Sequence, residues 1–380
     1  MNLYSHITPN IAYFVYGILG LFLLIQLYYI LFVYSKLAQH KVRSYQEKKS
    51  FPSISVIICA HNEQDNLKTF LPTILQQDYP DYEVIVVDDC SSDESKWVLQ
   101  GFQAQYPHLR VVEIKEHIQL KHSKKFALTL GIKAAKNDHL VMTDADCQPQ
   151  TTLWLKEMGG AYSTSQEIVL GYSPYFKTSG FLNKLIRFET THTAMSYLSY
   201  ALKHDPYMGV GRNLSYLKSL FFKGKGFNSH MHIKSGDDDL FVNQNATKNN
   251  VNIAIHPDAH IYSVAKDSWK SYYKQKARHA GASVVYKKSH QRMLGTQLVT
   301  AFLFHTTLLM CIALFPMLWY WALGAFLLRY LSQVIVFRPI FRKLQVKDLL
   351  FWLPILDFFF YFYICLNGLF NRKKKQRSWK

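Results

Sequence analysis

With 380 residues, 49% of them hydrophobic and 15% aromatic, the chain is long enough for one large or two modest domains and too apolar to be disordered. Its formal charge of +18 would suit a nucleic-acid protein if it were spread over a soluble domain. The basic residues instead concentrate in Lys36 to Lys49 and Arg372 to Lys380, beside apolar spans, which points to a bilayer edge and away from a nucleic-acid groove. Cys59, Cys90, Cys147, Cys311 and Cys365 lack metal-ligand or disulfide spacing and read as small apolar residues in a reducing compartment. His230-Met-His232 reads as a solvated pair, because zinc needs three or four ligands.

Residues 7 to 35 carry no charge, and about 20 apolar residues suffice to cross a bilayer. Ile11 to Tyr34 is expected as a transmembrane helix. A secretory signal is the competing reading, but the basic cluster follows the apolar run instead of preceding it. Positive charge marks the cytoplasmic side, which places residue 36 onward inside.

From Pro52 short apolar strands alternate with helical periods, the pattern of a parallel α/β sheet. Strands are expected at Ser53 to Cys59, Glu83 to Val87, Arg110 to Ile114 and His139 to Met142. Helices are expected at Glu63 to Gln77, with Asn62 as cap, at Asp93 to Gln105 and at Ser123 to Ala135. Polar residues gather where the strands end: His61-Asn-Glu63, Asp88-Asp89 and Asp144-Ala-Asp146. In an open parallel sheet that edge is where ligands bind.

Leu140-Val-Met-Thr-Asp-Ala-Asp-Cys147 runs an apolar strand into two carboxylates one residue apart. Side-chain direction repeats every two residues in extended chain, so Asp144 and Asp146 share a side and can hold one hard cation, Mg²⁺ or Mn²⁺. An ordinary Asx turn is the bland alternative. The neighbouring acidic strand ends favour the cation.

Ile58-Cys-Ala-His-Asn-Glu63, Val86-Val-Asp-Asp-Cys-Ser-Ser92, Lys124-x-x-Ala-Leu128, Asp144-Ala-Asp146, Gly236-Asp-Asp238 and Gln275-Lys-Ala-Arg-His279 resemble, in order and spacing, the motifs of the inverting family-two glycosyltransferases. The resemblance covers residues 52 to 280 and is nearest to membrane enzymes with a Gln-x-x-Arg-Trp signature. It implies a GT-A fold, Rossmann-like, binding a nucleoside diphosphate sugar. It further implies Ala60, Asn62 and Glu63 near the nucleoside, Asp88 or Asp89 at the base and Lys124 near the phosphates. Asp144 and Asp146 would lie at sugar and metal. A dense anion beside carboxylates makes physical sense only with a cation between them.

Further along, Glu167 to Gly171 is expected to complete the sheet. Phe181 to Lys203 is expected as a helix, either facing the core or lying at a bilayer interface. Tyr207-Met-Gly-Val-Gly-Arg-Asn-Leu-Ser215 resembles the acceptor-side loop of the family, with Gly209 and Asn213 as candidate contacts; a plain loop is the alternative. Direct displacement needs a carboxylate to take the acceptor proton. Alignment puts that base at Asp238, with Asp237 beside it and Asp239 as fallback, and the same run could also cap a helix from Leu240. Gln275, Arg278 and His279 are expected near acceptor and leaving diphosphate, Arg278 because its fork suits phosphate. His279 replaces the family Trp, which argues against a stacked polymer track.

Thr296 to Phe315 and Met317 to Phe337 are expected to form a hairpin of two spans turning at Pro316, with Arg329 snorkelling or facing a partner helix. Leu349 to Phe370 either crosses or re-enters. The expected organisation is an N-terminal transmembrane helix in 1–35, a cytoplasmic GT-A domain in 51–290, a membrane region in 293–371 and a basic tail in 372–380. The expected function is inverting, metal-dependent transfer from a nucleotide-sugar donor, UDP-type, to a membrane lipid or glycan acceptor at a bacterial inner membrane. A processive polysaccharide synthase and a non-catalytic scaffold are the alternatives.

Overall fold

The computed structural model describes residues 9–115, 123–233, 235–279 and 282–371, the side chains of Pro9, Arg278, His279, Ala282 and residues 366–371 excepted. The tail 372–380 and the side chains of Arg278 and His279, singled out above, therefore lie outside the described residues. The chain divides into two compact units, one spanning Lys41–Lys287 and the other combining the described parts of Met1–His40 and Lys288–Lys374.

Among the described residues the first unit is built on nine strands: β1 Ile54–Ala60, β2 Tyr82–Asp89, β3 Leu109–Ile114, β4 His139–Asp144, β5 Cys147–Pro149, β6 Ile168–Gly171, β7 Leu214–Leu217, β8 Val251–Ala254 and β9 Ile261–Ser263. Seven form one sheet in the order β3-β2-β1-β4-β7-β6-β8, and β5 pairs with β9 in a small second sheet. The first four sheet strands run parallel, while β7 is antiparallel to both β4 and β6. Every residue of β1 is buried, as expected for a central parallel strand covered on both faces. Register places Ala60 opposite Asp88 and Cys59 opposite Asp144, so the polar ends of β1, β2 and β4 share one edge.

The helix Gln64–Leu75 packs Leu67, Leu71 and Ile74 into the same core as Val56, Ile58, Val84 and Val86. Each such side chain contributes about 1.5–3 kcal/mol when fully buried. The helix Lys124–Ala134 lies so close to the sheet that a Cβ on Gly131 would come within 2.7 Å of Ile57 and 2.9 Å of Val87. Asn62 does not cap the helix after β1. It takes a left-handed conformation, φ 55°, and turns its Oδ1 to the Ser92 backbone N–H at 2.8 Å, while Glu63 occupies the cap position and its carboxylate accepts from Asn66 Nδ2 instead of from the first-turn backbone. Phe181–Leu202 is a long helix buried on most of its surface, the core-facing alternative. His230 is not solvated either: it is fully buried.

The second unit is helical. Among the described residues, three helices are long and apolar enough to cross a membrane: Asn10–Gln39, Lys288–Leu314 and Pro316–Lys343. The first passes through a π-helical stretch, Tyr29–Tyr34, and continues as α-helix for five residues beyond the expected end, Ser35–Gln39. The second begins eight residues before Thr296, its first turns being polar and basic. A further helix, Leu353–Asn371, follows. Arg329 faces partner helices: Nη1 donates to Asp357 Oδ2 at 2.7 Å and to Gln333 Oε1 at 3.2 Å, and Nη2 to Gln26 Oε1 at 3.4 Å. Gln333 also donates to Asp357 Oδ1 at 2.9 Å, and Gln26 donates to Thr300 Oγ1 at 2.9 Å. All these groups are buried, so the polar network ties helices together inside an apolar shell.

Candidate active site

Parallel strands deliver their polar termini to one edge, and there the first unit opens a cavity of about 350 Å³. Glu63, Lys124, Asp144, Asp146, Asp237, Asp238 and Gln275 line it. At its centre Lys124 Nζ lies 2.8 Å from Asp144 Oδ1 and 3.3 Å from Asp237 Oδ2. Burial works against the Lys124 charge, but Asp144 and Asp237 outweigh it and hold the ammonium well above its ordinary range. This ion triad joins the strand end at β4 to the turn before the helix Asp239–Asn245.

Asp238 sits at the cap of that helix, its Oδ1 accepting the Asp239 N–H at 2.8 Å and its Oδ2 the Gly211 N–H at 2.6 Å. Gly211 permits this approach, since a Cβ there would lie 3.3 Å from the Asp238 carboxylate. Burial, then the charges of Asp237 and Asp239, push the Asp238 carboxyl up to about 7. A carboxylate oriented by two backbone donors and poised near neutrality is suited to general-base work. Asp239, the fallback, accepts the Leu240 N–H at 2.7 Å on one oxygen and the Tyr286 hydroxyl at 2.6 Å on the other.

The donor set at Asp144 and Asp146 fits a hard divalent cation. Burial and then the charge of Asp144 raise the Asp146 carboxyl, a repulsion that a cation between them would relieve. Among the described residues, the one group of three metal-capable side chains lies elsewhere, at Glu157, His256 and Asp258. There Glu157 accepts from Ser44 Oγ at 2.7 Å and Asp258 from Gln46 at 2.6 Å, which accounts for the cluster as a fastening for residues 44–46.

Not every residue expected at the site reaches the cavity. Ala60 is packed in the core, and Asp88 turns Oδ1 to the Ser91 N–H at 3.1 Å. Asp89 ends β2 with its carbonyl 2.6 Å from His61 Nδ1, so the turns after β1 and β2 are stitched together beside the cavity. Gly209 faces inward, where a Cβ would meet Leu170 and Leu214 at 3.0 Å. Asn213 is fully buried: its Oδ1 takes the Trp154 indole N–H at 3.0 Å and its Nδ2 donates to Tyr172 and Ala259 carbonyls at 2.8 Å. Its amide holds the start of β7 to the neighbouring loops.

Other residues of the site escaped sequence reasoning. Lys125, 2% exposed, donates to the carbonyls of His230 and Ile233 at 2.7 and 2.8 Å, anchoring the segment that leads into Asp237. Glu189 pairs with Lys276 at 2.6 Å and accepts the Tyr272 hydroxyl at 2.5 Å. Arg212 stacks on Tyr175, 4.3 Å from its centroid. Arg212 was visible as the one cation in Tyr207-Met-Gly-Val-Gly-Arg-Asn, whereas Glu189 was hidden in a helical stripe.

Two family models match the chain over this architecture: "Glycosyl transferase family 2" at residues 55–222 and "Glycosyl transferase family group 2" at residues 162–336. Residues 55–222 are thus similar to a glycosyl transferase family 2 domain. Among solved structures, the domain's fold is similar to the mannosyltransferase PcManGT of Pyrobaculum calidifontis, solved in complex with GDP-Man and Mn²⁺. The TM-score is 0.58 at 16% identity, over 94% of this chain and 100% of that one. The fold is therefore GT-A. Glycosyltransferase AglE of Haloferax volcanii is 33% identical over 109 residues, 28% of this chain and 34% of that protein. "Probable glycosyltransferase YdaM" of Bacillus subtilis is 26% identical over 250 residues, 62% of this chain and 56% of that protein. The poly-beta-1,6-N-acetyl-D-glucosamine synthase of Staphylococcus epidermidis is 25% identical over 118 residues, 31% of this chain and 27% of that protein. The chain thus spans between 27% and 56% of the length of these curated relatives.

Proposed function

We propose that the chain is a membrane glycosyltransferase that moves a sugar from a nucleoside diphosphate donor to the hydroxyl of a lipid-linked or glycan acceptor, inverting the anomeric carbon. The observation that carries the reading is the convergence of Lys124, Asp144, Asp146, Asp237 and Asp238 on one cavity at the strand ends. In this reading Asp144 and Asp146 hold Mg²⁺ or Mn²⁺, which neutralises charge on the leaving diphosphate. Lys124, released from one of its carboxylates, adds a second positive charge beside the phosphates. Asp238 removes the acceptor proton as the hydroxyl attacks from the opposite face of the sugar.

The likeness to PcManGT, whose complex holds a nucleotide sugar and Mn²⁺, supports both donor class and metal. The three apolar helices and the basic residues after the first of them support a bilayer location with the family 2 domain on the cytoplasmic side. The boundaries proposed for that domain, 51–290, follow from the same reading. Purified protein is to be incubated with a panel of nucleotide sugars, Mg²⁺ or Mn²⁺ and a membrane-lipid extract. Transfer that vanishes with chelator and in Asp146→Asn, while the variant melts like the parent, is the expected result. Metal-independent transfer by that variant defeats the proposal.

A further inference from the structure

Among the described residues four lysine and arginine side chains line the cavity, and two of them, Lys124 and Lys276, are paired with carboxylates, Lys276 with Glu189 at 2.6 Å. Lys124 is engaged by Asp144 and Asp237. Arg212 and Lys266 also line the cavity, and among the described residues neither has a carboxylate within 4 Å. The Arg212 guanidinium is fixed in place: Nη2 donates to the Ser173 carbonyl at 3.1 Å, and its plane rests on the Tyr175 ring. Nη1 of the same fork is buried and meets no acceptor among the described residues. A buried guanidinium N–H without an acceptor is costly, and a fork with one tine satisfied by backbone is preset for an oxyanion on the other.

We infer that Arg212 and Lys266 form the site within the cavity at which a phosphate group of the substrate is received. This rests on the glycosyltransferase reading for the identity of the substrate. The shared chemistry is a phosphate oxygen, and its source is either the diphosphate of the donor or the phosphate of a lipid-linked acceptor. Rigid backing by Ser173 and Tyr175 makes Arg212 the selective member. Lys266, on the loop after β9, supplies charge without fixed direction.

The test uses the full-length protein in detergent and two probes, inorganic pyrophosphate with Mn²⁺ and dodecyl phosphate without metal, with binding measured by calorimetry. Arg212→Gln is expected to weaken at least one probe by about tenfold or more, and Lys266→Gln by several-fold, with unchanged melting. A loss confined to pyrophosphate assigns the site to the donor, and one confined to dodecyl phosphate assigns it to the acceptor. Should Arg212→Gln fail to fold, Arg212→Lys keeps the charge but loses the fork, and a several-fold loss is still expected. Parental affinity for both probes in the Lys266→Gln, Arg212→Lys double variant overturns the inference. Loss of Mn²⁺-dependent pyrophosphate binding in Asp146→Asn is a separate measurement. Its absence counts against the metal reading and leaves the Arg212 result standing on its own.

Discussion

Replacing Asp238 by Asn removes a base and, at the same time, breaks a local match of donors and acceptors. Both carboxylate oxygens accept backbone N–H groups, from Gly211 at 2.6 Å and Asp239 at 2.8 Å. An Asn amide must point its NH₂ at one of them, opposing donor to donor and orphaning a backbone N–H, at about 1–3 kcal/mol. Loss of general-base assistance lowers turnover by about 10² to 10⁴. In the parent the carboxyl sits at about 7, so the base is protonated at low pH. Turnover under kcat/KM conditions is expected to fall by about tenfold between pH 8 and pH 6. Asp238→Asn should abolish that dependence along with most activity while retaining donor binding, since Lys124, Asp144 and Asp146 are untouched. The assay is initial-rate transfer across pH 5.5 to 8.5 beside donor titration by calorimetry. Turnover within a few-fold of the parent in Asp238→Asn would refute the role, and so would a flat parental profile.

Four further outcomes are expected. Lys125→Met should lower the melting free energy of the family 2 domain by about 2–4 kcal/mol, because two carbonyls lose charge-assisted bonds, measured by denaturant unfolding. Asp357→Ala should destabilise the helical unit by about 3–5 kcal/mol by leaving Arg329 buried and uncompensated, and the Arg329→Met, Asp357→Leu double variant should recover most of it; equal damage in single and double variants would contradict the pairing. Burial holds His230 and His260 down at about 4, below the unfolded value, so their contribution to stability is complete above about 6.5 and is lost as pH falls towards 4; a melting temperature that stays level over that window would speak against it. Asn213→Ala should destabilise the fold, since it strands the Trp154 N–H and two carbonyls, and this loss should appear in thermal melts before any change in acceptor KM.

Much of the sheet was legible because parallel strands buried on both faces read as near-continuous apolar runs, such as Val56 to Ala60, closed by polar residues. The shared edge followed from that alternation, and with it the meeting of Asp144 and Asp146 with Lys124. What remained hidden depends on local geometry that letters do not carry. Asn62 looks like a cap in sequence, yet the turn after β1 needs a left-handed residue there and uses the side chain to hold the next turn. Asn213 sits in a motif with glycines and reads as a ligand contact, but it is packed between Trp154, Tyr172 and Ala259 because β7 enters the sheet antiparallel beside β4. Lys125 and Glu189 act through partners far away in the chain, and no periodicity announces such a partner.

The Arg329 and Asp357 pair sets an order on biosynthesis. Twenty-eight positions separate them, so on the proposed membrane reading a growing chain threads its arginine into hydrocarbon well before the aspartate has left the ribosome. Until then the third apolar helix carries Arg329 uncompensated near its middle, at a penalty of about 2.5–3.5 kcal/mol. Arrival of the final helix discharges it, so that a polypeptide ending ahead of Leu353 would present the quality-control machinery with an unanswered charge and a ready mark of incompleteness.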